Sequence, residues 1–366
     1  MTGGPKVVVC GTKFGRVYLA AFTRPGFPLE LAGVLARGSE RSKECAERYG
    51  VPLFTDPGQL PRDIDMAAVV VGSAMNGGRG AELARALMLR GIHVLQEHPL
   101  HHDELAVCLR TARRQGVVYR INTHYVHVPP VRRFIDVARW LAARQQPLFI
   151  DAVTAFQVTY TLFDVLGRAL GGVSPWGFGD AAGLPSRVAA LARTELPYCG
   201  LAGVFAGVPL SLRLQNELAP AEPDNHAHLH HRITIGTEGG HLTLVNTHGP
   251  VLWSPRPHMP AGMADLVRCE DATEAHLDLP SAEPLGPAAA PSYREILRDL
   301  WPAGTAAALL GFARAVRDRE DARAEGQYHL ALTRLTKDVT DRCGPVRLVS
   351  RGTPQIMPGA ELAAVL

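Results

Sequence analysis

The chain is expected to fold as α/β in two parts. The first is a doubly wound parallel sheet; the second is an α+β domain with a mostly antiparallel sheet. Three observations predict this. Over residues 1–123, short β-branched apolar runs alternate with helix-period segments, the pattern of βαβ units. After Tyr125 the strand-like runs lengthen and alternate apolar with polar, as in strands with one face in water. At 366 residues the chain has length for two cored domains. The division expected is 1–123, 124–345 and a short tail, 346–366.

The first strand, 6–10 (KVVVC), suits a buried parallel strand. A tight turn follows, Gly11-Thr12-Lys13-Phe14-Gly15, and then a helix over 15–23. Strand, glycine turn and helix make the phosphate-holding arrangement of a Rossmann dinucleotide fold. Unpaired N–H groups and the positive dipole end face the pyrophosphate. Aligned on Gly15 as third glycine, GxGxxG wants glycines at Cys10 and Thr12 and finds one between them, at Gly11. The second strand, 30–36, ends without an acid to accept from a ribose 2′-OH. Instead Arg37-Gly38-Ser39-Glu40-Arg41 follows, and charge-assisted donors there suit a 2′-phosphate. NADP(H) is therefore expected, with Arg37, Gly38, Ser39 and Arg41 around its phosphate; the plain alternative is a solvated turn with two surface arginines.

Helices are expected over 41–49, 78–90 and 103–115, and strands near Leu53 and over 66–71, 93–96 and 117–122. Ligands in such sheets sit at the carboxyl ends of strands. This adds Gly72, Ser73 and Ala74, then Glu97-His98-Pro99, then Thr123-His124-Tyr125 as places to look. In the second part a helix over 130–143 leads to strands 149–159, 209–216, 229–237, 241–246 and 251–253. Helices over 164–171 and 186–194 lie between them. Residues 254–290, rich in Pro, Ala and acids, are expected as a long excursion before helices 293–317 and 327–341.

Composition excludes several classes. A net charge of +3 without a basic block argues against nucleic acid. No apolar run reaches 18 residues and the N-terminus lacks a signal pattern, so a cytoplasmic protein off the membrane is expected. Six scattered cysteines without CxxC fit reduced thiols better than a disulfide framework or zinc site.

This combination resembles the Gfo/Idh/MocA oxidoreductase superfamily, in which the fifth strand usually ends Glu-Lys-Pro and the lysine acts on the substrate. Here Glu97-His98-Pro99 stands there, and the usual Asp-to-His helix spacing reads Asp164 to Arg168. None of the four lysines (Lys6, Lys13, Lys43, Lys337) lies where it can substitute. The strings CGTKFGRVYLAAF, VLARGSERS, QEHPLHHDEL, INTHYVHV, LFDVLGRAL and PDNHAHLHHRITIGTEGGHLTLVNTHGPVLW resemble one branch, the thiazolinyl imine reductases of yersiniabactin- and pyochelin-type siderophore biosynthesis. The resemblance runs from about residue 6 to 340. It implies NADPH-dependent reduction of a thiazoline C=N bond to a thiazolidine. The substrate it implies is a thioester on a nonribosomal peptide synthetase carrier domain.

That reaction needs a proton at nitrogen as hydride reaches carbon. His98 and Tyr125, at the ends of the fifth and sixth strands, are the two expected donors, not separated by sequence. His98 also counts among the cofactor-side residues with Glu97, for which a structural role is expected. Asn122 and Thr123 are candidate contacts on the nicotinamide side. His101 and His102 are expected to cap or cover a helix, and His124 to point away from Tyr125 if the strand continues. At strand spacing His226, His228 and His230 would share a face. Three imidazoles suit zinc, but imine reduction needs no metal and none is expected; a polar wall of the cleft fits better. Asp164 is expected to cap or charge a helix start. Tyr125, residues 154–163 and the strand 226–231 would wall the substrate cleft, and the exposed sheet face would support a homodimer. Two competitors remain open: a superfamily oxidoreductase on a free small molecule such as a sugar or bile pigment, and an NADP(H)-binding regulator without turnover.

Overall fold

The computed structural model describes residues 4–72, 78–222, 226–257, 275–350 and 352–365. Ser73, Ala74, Asp224 and Cys269 lie outside them. The N-terminal half carries β1 (Lys6–Cys10), α1 (Gly15–Ala21), β2 (Glu30–Leu35), α2 (Glu40–Arg48), β3 (Leu53–Phe54), β4 (Met66–Val69), α3 (Arg79–Met88), β5 (His93–Glu97), α4 (His102–Gln115) and β6 (Tyr119–Asn122). All six strands are parallel, in the order β3-β2-β1-β4-β5-β6. This is the doubly wound order expected of a Rossmann sheet.

β1 shows why its sequence is apolar throughout. Val7 and Val9 face one layer with Tyr18 and Leu19 of α1, while Val8 and Cys10 face the other with Ala84 and Leu87 of α3. A central strand covered on both faces has no polar side to show.

The second half comprises α5 (Pro129–Ala142), β7 (Phe149–Ala155), α6 (Thr159–Leu170), β8 (Gly177–Phe178), α7 (Ser186–Ala189), β9 (Tyr198–Phe205), β10 (Val208–Gln215), β11 (Glu217–Leu218), β12 (His231–Thr237), β13 (Gly240–Leu244), β14 (Val251–Pro255), β15 (Glu283–Pro284), α8 (Tyr293–Glu295), α9 (Trp301–Arg317), α10 (Arg323–Cys343), β16 (Arg347–Leu348) and α11 (Gly359–Ala363). Its sheet runs β15-β14-β13-β12-β7-β10-β9-β8. Every neighbouring pair is antiparallel except β7 and β10. In β10 the buried residues Val208, Leu210, Leu212 and Leu214 alternate with exposed Pro209, Ser211 and Arg213. The buried face packs on α5, α6 and α10 through Phe134, Phe163, Leu166, Leu332 and Leu335.

The structure differs from the sequence reading at four places. The strand expected over 149–159 stops at Ala155, and α6 begins at Thr159 rather than 164, because nearly all of α6 is buried and it shows no polar stripe. β9 was missed: Gly200 and Gly203 dilute its pattern, yet a Cβ on Gly203 would lie 2.5 Å from the Gly177 oxygen, so the glycine lets β8 pair. The helix expected over 186–194 is only the four-residue α7. Helix α9, assigned by sequence to the second domain (124–345), packs instead against β1 and α1 through Ala306, Leu309 and Phe312. The chain thus returns to complete the first domain's core. Tail residues 347–348 pair with β11. Among the described residues no helix is long and apolar enough to cross a membrane.

Candidate active site

The phosphate turn has the features a pyrophosphate needs. Gly11 adopts φ +94°, and a Cβ there would sit 2.6 Å from the Val70 oxygen, so glycine is required. Thr12 is buried and Lys13 exposed. No acidic side chain and no side-chain cap occupies the first turn of α1 after Phe14 and Gly15, which leaves its N–H groups for an anion. At the end of β2, Gly38 is left-handed (φ +78°) and Ser39 starts α2. Arg37 and Arg41 are exposed, and among the described residues no carboxylate pairs with either. Gly72 is exposed at the end of β4. These residues fit a dinucleotide with a phosphate near Arg37 and Ser39.

At the end of β5 the side chains lock one another. Glu97 is 8% exposed. One of its oxygens accepts from the Tyr18 hydroxyl and from Asn122 Nδ2. Burial, and then the Glu97 charge, raise the Tyr18 pKa, so this phenol stays a donor. The other Glu97 oxygen accepts from His98 Nδ1 at 2.9 Å. With Nδ1–H so committed, Nε2 is the nitrogen left to act, and among the described residues nothing bonds to it. The Tyr160 ring stacks on the imidazole, centroids 5.6 Å apart and planes 16° from parallel.

At the end of β6 the strand stops at Asn122, and His124 takes φ +47°, strained for a residue with a Cβ. His124 therefore does not continue a strand alternation. Its ring packs edge-on to Phe14, Tyr125 and Trp301. Burial lowers its pKa to about 3, and its Nε2 is buried without a partner. Tyr125 is 8% exposed, walled by Val128, Ala155, Val158 and Trp301 and flanked by the His230 and His231 rings. Gln157, in the turn after β7, has both amide atoms buried and unpaired.

Behind His98 runs a buried polar chain. The Tyr160 hydroxyl meets His329 Nδ1 at 2.9 Å, and His329 Nε2 faces Glu325 at 3.3 Å. Arg168 bridges Glu325 (2.9 Å) and Asp164 (2.8 Å). Asp164 also accepts from Thr123 and Tyr328. Burial alone would raise the Asp164 pKa; the Arg168 and His329 charges with those two donors hold it below the ordinary value. The expectation that Asp164 caps a helix start is corrected: it lies inside α6, fully buried. Thr123, expected on the nicotinamide side, spends its hydroxyl on Asp164.

The histidine run also differs. β12 begins only at His231, so His226, His228 and His230 do not share a strand face. His226 Nε2 donates to the Glu217 carbonyl at 2.7 Å, while His228 is exposed. His231, fully buried, bonds Thr161, Thr247 and the Val158 carbonyl. Burial lowers its pKa to about 3. His101 is the N-cap of α4, accepting from Asp103 N–H at 3.3 Å, as expected of it. Sequence reading missed Trp301 and His329; Trp301 meets the His124 and Tyr125 rings and His329 the Tyr160 hydroxyl, each far away in the chain, with no local signal. A cavity of about 350 Å³ opens beside the His98–Pro99 step, lined by Pro99, Leu100, Tyr160, Thr333 and Lys337. A larger one of about 760 Å³, lined by Arg110, Arg113 and Arg319, lies away from this chemistry against α4 and the α9–α10 turn.

Residues 5–123 match the model of an oxidoreductase family with an NAD-binding Rossmann fold, Gfo/Idh/MocA. Residues 145–254 match the model of the C-terminal domain of thiazolinyl imine reductases, Irp3-like. No curated relative matches the chain. Similar solved structures include a 3-ketoreductase from Actinomadura kijaniata in complex with NADP and TDP-benzene, at 18% identity and TM-score 0.64 over 95% of this chain and 99% of that one. Another is an oxidoreductase from Agrobacterium radiobacter in complex with NAD+, L-tartaric acid and magnesium, at 11% identity and TM-score 0.63 over 91% and 94%. At these identities the likeness speaks for the fold.

Proposed function

We propose that this chain, an NAD(P)-type oxidoreductase by its N-terminal domain, reduces the C=N bond of a thiazoline with NADPH. Its substrate would be a carrier-tethered intermediate of nonribosomal siderophore assembly. The observation that carries this reading is the Irp3-like match over 145–254, which spans β7, α6 and the His231 strand beside Tyr125.

When bound, NADPH would supply hydride to the imine carbon. The chain's own residues then handle the proton. Protonated His98 offers Nε2–H to the ring nitrogen, while Glu97, 2.9 Å from Nδ1, stabilises the positive imidazolium and fixes its plane. Tyr160 restrains the ring by stacking on its face. His124 and His231 are held neutral by burial and offer no proton near pH 7. Tyr125 is the second candidate donor, set in an apolar wall with Trp301 that excludes water from a bound ring.

The test is NADPH oxidation with a thiazoline thioester or loaded carrier domain, beside sugars and polyols with NADP+. Turnover of the thiazoline alone is expected. Turnover of a sugar and none of the thiazoline would restore the free-substrate reading. Binding of NADPH with no turnover of either would restore the regulator.

A further inference from the structure

We propose that Cys199 of β9 and Cys343 at the end of α10 are a disulfide-forming pair, a covalent tie between the second sheet and the last long helix. Their sulfurs stand 2.7 Å apart across 144 positions of sequence. Ordinary heavy-atom contacts lie at about 3.5–4.0 Å and a disulfide at about 2.05 Å. Only a small approach separates the two thiols from a bond.

Both backbones are held in place. Cys199 pairs with Leu214 in the β9–β10 ladder. Asn216 Nδ2 donates to the carbonyls of Cys343, Gly344 and Pro345 at 3.0, 3.1 and 3.3 Å. Both side chains pack on the rim of one apolar cluster with Phe178, Leu201 and Val339. The juxtaposition is thus built by the fold, not by a loose tail.

The chemistry is thiol–disulfide exchange with a small-molecule disulfide such as oxidised glutathione. One cysteine sulfur bonds to a glutathione sulfur and displaces the first reduced glutathione. The second cysteine then attacks the mixed disulfide, forms the Sγ–Sγ bond and displaces the other. Both thiol protons end on the released thiols, and the oxidant is reduced by the two electrons the cysteines lose. Burial, and the neighbouring thiol, push the Cys343 pKa up, so thiolate is scarce and closure quickens as pH rises. The tie would act as a staple. It restrains the unfolded chain and anchors α10, whose Glu325, Tyr328 and His329 reach the chain behind His98.

The experiment treats the purified protein with oxidised glutathione at mildly alkaline pH, with dithiothreitol as control, then counts thiols after unfolding. The expected result is four titratable thiols of six, an intact mass lower by two hydrogens, and one cross-linked peptide pair containing Cys199 and Cys343. The Tm should rise by several degrees in the wild type and not at all in Cys199→Ser or Cys343→Ser. Six free thiols, stable glutathione adducts at these positions, or a link mapped to any other pair would overturn the proposal.

Discussion

For the single residue, the decisive arrangement is Glu97 against His98. If His98 is the donor, His98→Ala should lower turnover at saturating NADPH by roughly 10²–10⁴. Glu97→Gln removes a charge-assisted hydrogen bond worth about 1.5–3 kcal/mol, a loss of roughly ten- to a hundredfold, with the Michaelis constant for NADPH little changed. Tyr125→Phe belongs in the same series: if both it and His98→Ala keep near-normal turnover when chemistry limits the rate, neither is the donor. The cofactor prediction rests on Arg37 and Ser39. Replacing both by alanine should weaken NADPH by about 1.5–3 kcal/mol per lost charged contact and leave NADH unmoved. Equal affinity of the intact protein for the two nucleotides, by calorimetry or fluorescence, would contradict it. These residues were legible because strand ends in a parallel sheet announce themselves. The Glu97–His98 bond was not, since adjacent strand residues ordinarily point apart, whereas β5 ends at Glu97 and His98 lies in the bend beyond it.

Among elements, α6 and α9 hold the site in place. Arg168→Met would leave the Asp164 carboxylate buried with only Thr123 and Tyr328 as donors. Stranding a buried charge costs about 3–5 kcal/mol, and the remaining donors place the expected loss at the lower end, read from the denaturant midpoint. Phe312→Ala empties a fully buried position in α9 and should cost about 3–5 kcal/mol. Because α9 closes the first domain's core, NADPH should protect this variant more than one emptied in the second sheet, such as Leu212→Ala. Both elements explain what periodicity misses: α6 is buried nearly all round and has no polar face to time its start. The partner of α9 lies some 300 residues earlier, where no local pattern points.

For the molecule as a whole, the buried imidazoles set the acid limit. His124 and His231 carry folded pKa values of about 3 against 6.5 for a free imidazole. Between those values the unfolded chain binds protons that the fold refuses. Their stabilising share is complete above about pH 6.5 and is lost as pH falls toward 3. The slope is at most about 1.4 kcal/mol per pH unit for each group. Asp164, held below the ordinary carboxylate range against its burial by Arg168, and Glu325, held below it by its hydrogen bond with His329 and by Arg168, add a further loss only below about pH 4.5. Unfolding free energy should therefore drop between pH 7 and 5, before any carboxylate titrates. A flat profile there would show these imidazoles to be solvated.

The sequence alone determined the doubly wound sheet, the glycine turn after its first strand, the position of His98 just past the end of the fifth, and the mixed second domain. Each of these is written in neighbouring residues: glycine at a forced backbone angle, and strand and helix periods. Tertiary structure decided the rest. It set Glu97 on His98 Nδ1, laid Tyr160 over the ring, brought Trp301 behind Tyr125 and moved α9 into the first domain. It also dispersed the expected histidine face and brought Cys199 to Cys343. All of these depend on contacts between segments far apart in the chain, and a linear pattern records which residues want burial or partners, not which distant residue supplies them.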